Sequence, residues 1–568
     1  MGKEIIYETT YKHAPLKLPK VGLFEYLVPQ PGRPRAIPDH DPKLPAYIDG
    51  LDGRVLSRAD IVDGALRLIT GLRGLGIKRG DTACLWGPNS LEWVQAAYGL
   101  MAAGVTISPA NAAYAPHEIA YQVNNSDSQI IFLHPDLLPI FEKARPELQL
   151  PFKADRVVLL TPTERRKPEH KAYKTVHELF GAPSKPERFD GDQVYDTQWL
   201  CYSSGTTGFP KGVMTTHNNM TSQLEAVEAS YGQFATGKND VVLGFLPMSH
   251  IYGLTIVLLQ PWAAAIPVVV LPRFEETAAL TAIQKYKVTH ALVVPPVIIM
   301  LLHSPNVPKY DLSSLKTFMC GAAPLSGELH AMFTAKMPSI KVTQGYGMTE
   351  CSPVTHTTPW DESEGRGAWT GRLIPTFQAR LVKEDGEDAA EGERGELWVR
   401  GPSVMKGYHK NPDATKGTMA PGGWYRTGDV LIVDDLGFYM VVDRLKELIK
   451  YKGFQVPPAE LEALLLQHPK VIDAGVVGVW DESQATELPR GYIVPAPSAN
   501  ATTPAAQHAL RREVDAWVNA RVAPHKRLRG GVILIDAIPK SPSGKILRKD
   551  LRARAKQEFE GEVAEAKL

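Results

Sequence analysis

Cysteine is scarce in this chain of 568 residues: Cys84, Cys201, Cys320 and Cys351 lie far apart and form no CxxC pair. That pattern argues against both a disulfide framework and a zinc site, and it suits a reducing compartment. An excess of one charge is missing too. The 63 basic residues face 62 acidic ones, which removes any general pull toward nucleic acid or anionic membrane. Met1-Gly2-Lys3-Glu4-Ile5-Ile6 opens with no apolar signal region, and Ile6 stands where a myristoylation motif wants Ser or Thr. Gln260, Pro261 and Pro267 interrupt the charge-free run between His250 and Arg273. The run therefore reads as a buried helix, a break and a strand over 267–271 rather than a membrane span. Two enzyme signatures are absent as well. There is no G-x-S-x-G elbow, and Gly74-Leu75-Gly76 is followed by Arg79 where a dinucleotide-binding turn needs its third glycine.

What the chain does contain is a dense hydroxyl and glycine loop, Ser203-Ser204-Gly205-Thr206-Thr207-Gly208-Phe209-Pro210-Lys211-Gly212. Glycines let backbone N–H groups turn toward an anion, the hydroxyls add short donors and Lys211 adds positive charge, so the loop reads as a phosphate holder. It is not a Walker A loop, because Pro210 occupies the place of that motif's second glycine. A flexible Ser/Gly linker is the alternative, disfavoured by the apolar segments on both sides.

The length exceeds what one hydrophobic core supports, so at least two domains are expected. Short β-branched apolar runs alternate with helical patterns: a strand over 82–85, a helix over 90–103, strands over 105–108 and 129–133 with a helix over 116–124 between them. This rhythm predicts α/β layers with largely parallel sheets. Runs at 291–294 and 317–320 place Gly321-Ala322-Ala323-Pro324 and a motif at 344–350 at strand exits, where open α/β sheets bind ligands. Around 395–400 and 437–442 the pattern changes to short strands with Gly-rich turns. A surface loop is expected over 495–506. From residue 521 to 556, eleven Lys and Arg face only Asp536 and Asp550. A solvated basic face is the first reading of that run, and a site for a polyanionic small molecule the second.

Further motifs follow the hydroxyl-rich loop in a fixed order: Leu246-Pro247-Met248-Ser249-His250-Ile251-Tyr252-Gly253, Gln344-Gly345-Tyr346-Gly347-Met348-Thr349-Glu350, Tyr425-Arg426-Thr427-Gly428-Asp429, Asp443-Arg444-Leu445-Lys446 and Pro539-Lys540-Ser541-Pro542-Ser543-Gly544-Lys545. Together they resemble the motif series of the acyl-adenylate-forming superfamily, and within it the 4-coumarate–CoA ligase group of acyl-CoA synthetases. The resemblance covers nearly the whole chain. It implies a large N-terminal AMP-binding domain over 1–443, made of layered α/β subdomains plus a distorted β-barrel, and a small mobile α+β lid over 444–568.

The resemblance also implies roles. Ser203, Ser204, Gly205, Thr206, Thr207, Gly208 and Lys211 would hold the β- and γ-phosphates of ATP. Glu350 would ligate magnesium and Thr349 would contact the α-phosphate. Gln344, Gly345, Tyr346 and Gly347 would frame adenine and acyl group, with Tyr346 stacked on the base and Ala323 on its other side. Asp429 would accept the ribose hydroxyls beside Arg444. His250, Tyr252, Gly321, Ala322, Pro353 and Val354 would line the acyl pocket. Lys545 would touch both carboxylate and α-phosphate. For a second half reaction, Lys452 and Gly453 match coenzyme A contacts, Arg273 stands where relatives commonly carry a lysine for the coenzyme's nucleotide end, and Lys446, Lys450 and Gln455 match positions facing the adenylate or thioester. The implied co-substrates and cofactor are ATP, coenzyme A and Mg2+. The implied activity is an acid–CoA ligase, with transfer to a carrier protein or a luciferase-like oxidation as alternatives sharing these motifs. Ala566-Lys567-Leu568 resembles a peroxisomal address and suggests an import receptor as partner, with the cytoplasm as the other location.

Overall fold

The computed structural model describes the chain except for residues 1–3, 14, 31–36, 38–39, 204–209, 232–238, 446, 453, 483, 485, 542–543 and 566–568. The α/β rhythm is observed where the sequence places it, with strands Thr82–Trp86, Thr106–Ala110 and Ser128–Leu133 and helices Leu91–Ala102 and Pro116–Asn125. Ser90 caps the first of these helices by accepting from the Trp93 amide, which satisfies a donor that the helix start leaves open. That helix is buried throughout and packs on helix Arg58–Gly74, itself begun by a Ser57–Asp60 capping box. Gly99 makes the close crossing possible, since a Cβ there would stand 2.4 Å from Leu68 Cδ2.

These strands belong to an eight-stranded sheet that ends in the antiparallel strands Thr197–Ser203, Lys211–Thr216 and Gly407–Tyr408. A second, fifteen-stranded sheet holds six consecutive parallel strands, Pro45–Asp49, Val268–Val270, Val242–Gly244, His290–Val293, Thr317–Cys320 and Lys341–Gly347. Antiparallel strands from Val354–Thr357 to Phe438–Arg444 continue it, so the portion expected as a distorted barrel is joined to the parallel strands through Lys341–Gly347. The apolar run after His250 folds as a short helix, a π-helical segment Leu254–Leu259 and helix Gln260–Ala263 before strand Val268–Val270. Among the described residues no helix is long and apolar enough to cross a membrane.

Beyond Arg444 a separate apolar core begins, built from residues between Ile449 and Ala555 around the three-stranded sheet Val471–Asp481, Thr486–Pro495 and Val532–Leu534. The loop expected over 495–506 ends sooner, because Thr503 caps a helix that starts at Pro504. Pro suits a first helical position, where its missing N–H is no loss. Four of the eleven cations in the basic run are seen in ion pairs: Lys526 with Glu460 at 2.6 Å, Lys540 with Asp473 at 2.7 Å, Arg548 with Glu447 at 2.8 Å and Arg554 with Glu558 at 2.6 Å. All four cysteines are free and buried, and burial alone pushes the Cys201 thiol up to about 12.

Candidate active site

The parallel strands converge on one end, as the position of open α/β ligand sites requires. His250 and Tyr252 follow strand Val242–Gly244, Gly321 to Ala323 follow Thr317–Cys320, and Gly345 to Gly347 close Lys341–Gly347. Gln344 is 4% exposed and braces this end. Its amide accepts from the Leu325 backbone at 2.9 Å and donates to the Gly367 carbonyl at 2.6 Å. Gly347 must be glycine, because a Cβ would stand 2.1 Å from the Pro353 carbonyl oxygen. The next residues, Thr349 and Glu350, form a buried 3-10 turn.

Asp429 is nearly fully buried and both its oxygens are engaged. Tyr346 Oη donates to Oδ2 at 2.6 Å and Arg444 Nε to Oδ1 at 2.7 Å. Register makes the second contact, since Asp429 faces Arg444 across paired strands. Such charge-assisted bonds are short and strong. A carboxylate offers about four lone-pair sites, so Asp429 retains capacity toward a diol.

On the phosphate side, Ser203 pairs with Lys211 at the ends of adjacent strands. Lys211 Nζ lies 4.7 Å from the Tyr408 ring centroid, and Tyr408 Oη donates to Glu350 Oε1 at 2.9 Å. Ser204, Gly205, Thr206, Thr207 and Gly208 lie outside the described residues, as do Lys446, Gly453, the Gln455 side chain and Ala566, Lys567 and Leu568. Among the described residues no three His, Cys, Asp or Glu side chains cluster as a metal cage. A single hard carboxylate such as Glu350 still suits Mg2+, which takes one or two carboxylates together with substrate phosphates.

On the acyl side, the Tyr252 ring is 3.1 Å from where a Gly321 Cβ would lie, and Tyr252 Oη reaches the Met319 carbonyl at 3.3 Å. Ala322 adopts φ +67°, a left-handed backbone uncommon for a residue with a Cβ. Ala323 is half-buried beside it, and Pro353 and Val354 are buried. His250 Nδ1 accepts from the Tyr252 amide at 3.2 Å. Burial, with the charge of Lys545 adding to it, holds the His250 imidazole down at about 4.

Lys545 reaches this end of the sheet from the C-terminal part. A tight loop carries it: the Ser541 amide donates to the Lys545 carbonyl and the Gly544 amide to the Ser541 carbonyl, each at 2.8 Å. Gly544 sits at φ +80°, with a Cβ position 3.2 Å from Val294 Cγ2. Burial lowers the Lys545 ammonium to about 8; Arg444 adds to that, while Glu447, Asp429 and Glu350 oppose it. Residues nearly 300 positions apart, His250 and Lys545, therefore share one electrostatic environment.

Lys450 and Lys452 lie on hairpin strands Ile449–Tyr451 and Phe454–Val456 or the turn between them, with the Gln455 backbone opposite Lys450. The backbone amides of the two lysines donate to Glu487 Oε2 and Thr486 Oγ1, each at 2.7 Å, so these contacts run to the C-terminal sheet and not to Asp429. Arg273 is exposed beyond strand Val268–Val270. Sequence reasoning missed Tyr408, Met319 and the Arg548 bridge to Glu447 and Glu462. None belongs to a motif; only strand pairing brings Tyr408, opposite Val213, to the lysine end of the loop.

The chain is similar to known proteins over most of its length. The chain is 37% identical over 544 residues, 93% of its length and 96% of the other's, to the probable 4-coumarate–CoA ligase 1 of Dictyostelium discoideum. It is 36% identical over 512 residues, 89% of its length and 90% of the other's, to the peroxisomal OPC-8:0-CoA ligase 1 of Arabidopsis thaliana. The crystal structure of ATP-bound MatB from Rhodopseudomonas palustris superposes with a TM-score of 0.81 at 25% identity, covering 95% of this chain and 99% of that one. Residues 35–409 match the AMP-binding enzyme profile and 460–545 its C-terminal domain, and the chain therefore belongs to the AMP-binding enzyme family.

Proposed function

We propose that this chain is an ATP-dependent acid–CoA ligase that converts an aromatic or fatty carboxylic acid into its acyl-AMP and then into a CoA thioester. A carboxylate resists thiol attack because its leaving group would be oxide. In the first step a carboxylate oxygen bonds to the α-phosphorus of ATP and the bond to pyrophosphate breaks. Both reactants are anions, so positioned cations and donors must offset their repulsion. The observation that carries the reading is the delivery of Lys545 to the strand ends that hold Asp429, Glu350 and His250.

In this scheme Asp429 grips the ribose diol, Lys211 and the loop before it hold the distal phosphates, and Thr349 faces the α-phosphate. Glu350 would hold Mg2+, which supplies charge neutralisation on the phosphates. His250, neutral near pH 7, walls the acyl carboxylate without adding charge. In the second step the thiolate sulfur of CoA bonds to the acyl carbon and AMP leaves. We place the division between the large domain and its lid at Asp443 and Arg444, where one apolar core ends and another begins. Rotation there withdraws Lys545 and presents Lys450, Lys452 and Gly453, with Arg273 toward the coenzyme's nucleotide end.

The test is exchange of labelled pyrophosphate into ATP, dependent on added acid, followed by CoA-thioester mass spectrometry over a broad acid panel. Exchange supports the reading; its absence with folded protein and magnesium contradicts it. We also propose peroxisomal import through Ala566-Lys567-Leu568, in keeping with one relative's printed name. A fluorescent fusion that keeps the tail should be punctate, and deletion of the tripeptide should disperse it; dispersed signal from both refutes the address.

A further inference from the structure

Behind Met319 lies a cavity of about 60 Å³, several times the roughly 10–15 Å³ that one water needs. Val227, Ile256, Leu292 and Met319 give it apolar walls, and Glu228 and Gln260 give it polar atoms. Met319 connects this space to the acyl side of the site. Its carbonyl accepts from Tyr252, and its Cε lies 2.9 Å from where a Gly345 Cβ would be. A thioether with three rotatable bonds makes a soft partition. The opposing wall comes from the π-helical segment Leu254–Leu259, which carries Ile256 and leads into Gln260. Such wide turns are rare and recur at functional sites.

The polar atoms are unevenly matched. Gln260 is 9% exposed and donates through Nε2 to Glu228 Oε2 at 2.7 Å. Its buried Oε1 has no hydrogen-bond partner among the described residues. A buried acceptor left without a donor is unfavourable, and a donor on a ligand would relieve it. Glu228 is exposed, so the cavity reaches solvent there. Neither Lys nor Arg is among the described lining residues. Glu225, three positions earlier on the same helix, stands outside the lining and accepts from Tyr26 Oη at 2.9 Å. The wall's histidine, His290, has its Nδ1 turned to Thr289 Oγ1 at 2.7 Å.

We infer that this cavity receives the distal end of the acyl substrate and selects an apolar tail with a neutral hydroxyl terminus over one ending in a carboxylate. The inference rests on the acid–CoA ligase reading. A hydroxyl can donate to Gln260 Oε1 or Glu228, whereas a terminal carboxylate meets like charge and no cation.

The test uses the full chain and a homologous series from butanoate to hexadecanoate, each long member also as its ω-hydroxy and α,ω-dicarboxylic analogue, with kcat/KM read from thioester formation. Wild type should use the hydroxy and plain long acids at least about tenfold better than the diacid. Glu228→Lys should narrow that gap by about tenfold, and Gln260→Leu should lower the hydroxy-to-plain ratio about threefold or more. Butanoate, too short to reach the cavity, should be unaffected by either variant and reports an intact site. Equal use of diacid and hydroxy acid by wild type, or unchanged ratios in both variants while butanoate turnover persists, overturns the inference alone. Failure to activate any acid overturns the ligase reading, and the inference falls with it.

Discussion

Tyr346 Oη donates to Asp429 Oδ2 at 2.6 Å while Arg444 Nε holds the other oxygen of the same carboxylate. Asp429 is thereby fixed in direction, and under the proposed scheme Tyr346 orients the carboxylate that would grip the ribose. Tyr346→Phe keeps the ring and removes the donor. The expected loss is about 1–2 kcal/mol, seen as a KM for ATP raised about 5- to 30-fold with kcat little changed. An unchanged KM would show that Arg444 alone orients the carboxylate.

Tyr408 joins two groups at once, with its ring under Lys211 Nζ and its hydroxyl on Glu350. Tyr408→Phe separates the two functions, because the ring and its cation contact survive while Glu350 loses a donor. The half-saturating Mg2+ concentration at fixed ATP should shift by about 3- to 10-fold, and Tyr408→Ala should further weaken ATP binding. Magnesium titration of pyrophosphate release reads both. Identical curves for wild type and Tyr408→Phe would show that Tyr408 has no part in magnesium use.

Burial lowers the Lys545 ammonium to about 8, so the uncharged amine predominates above that pH. Adenylation kcat/KM should therefore fall above about pH 8, and Lys545→Arg, charged throughout, should remove that limb even at reduced rate. His250, held at about 4, should contribute no limb between pH 5 and 8. An alkaline limb retained in Lys545→Arg would assign it to another group.

Asp443 is buried with Oδ2 lacking a hydrogen-bond partner among the described residues, and burial raises its carboxyl to about 7. The folded state holds this proton more tightly than the unfolded state does. Between about pH 4 and 7 the term therefore weakens stability as pH rises, and it levels off above the folded value. Asp443→Asn, an uncharged mimic, should lose about 1–3 kcal/mol less than wild type between pH 5 and 8. Urea denaturation at several pH values checks this; parallel curves would refute it.

Much of the fold was legible because strands and helices announce themselves by periodicity. Strand 317–320 coincides with its expected bounds, and helix Leu91–Ala102 differs from expectation by one residue at each end. The motif residues Asp429, Glu350, His250 and Lys545 could be singled out only because the ordered motif series resembles that of a known family. What could not be read is what depends on register across strands. Tyr408 meets Lys211 and Glu350 only because Gly407–Tyr408 pairs with Lys211–Thr216. Arg548 looked like one cation in a basic run, yet it bridges Glu447 at 2.8 Å and Glu462 at 2.5 Å. Glu228 and Gln260 meet through one helix and a π-helical segment, a contact that sequence spacing does not reveal.

The central claim is that Lys545 serves one half reaction and not the other. Rapid-quench measurement of the two steps in Lys545→Ala tests it most directly, with ATP and acid for adenylation and supplied acyl-AMP with CoA for thioester formation. Adenylation should fall at least about 100-fold, the scale of losing a charge-stabilising group at a transition state, while thioester formation from acyl-AMP stays within a few-fold of wild type. Equal losses in both steps would contradict the account.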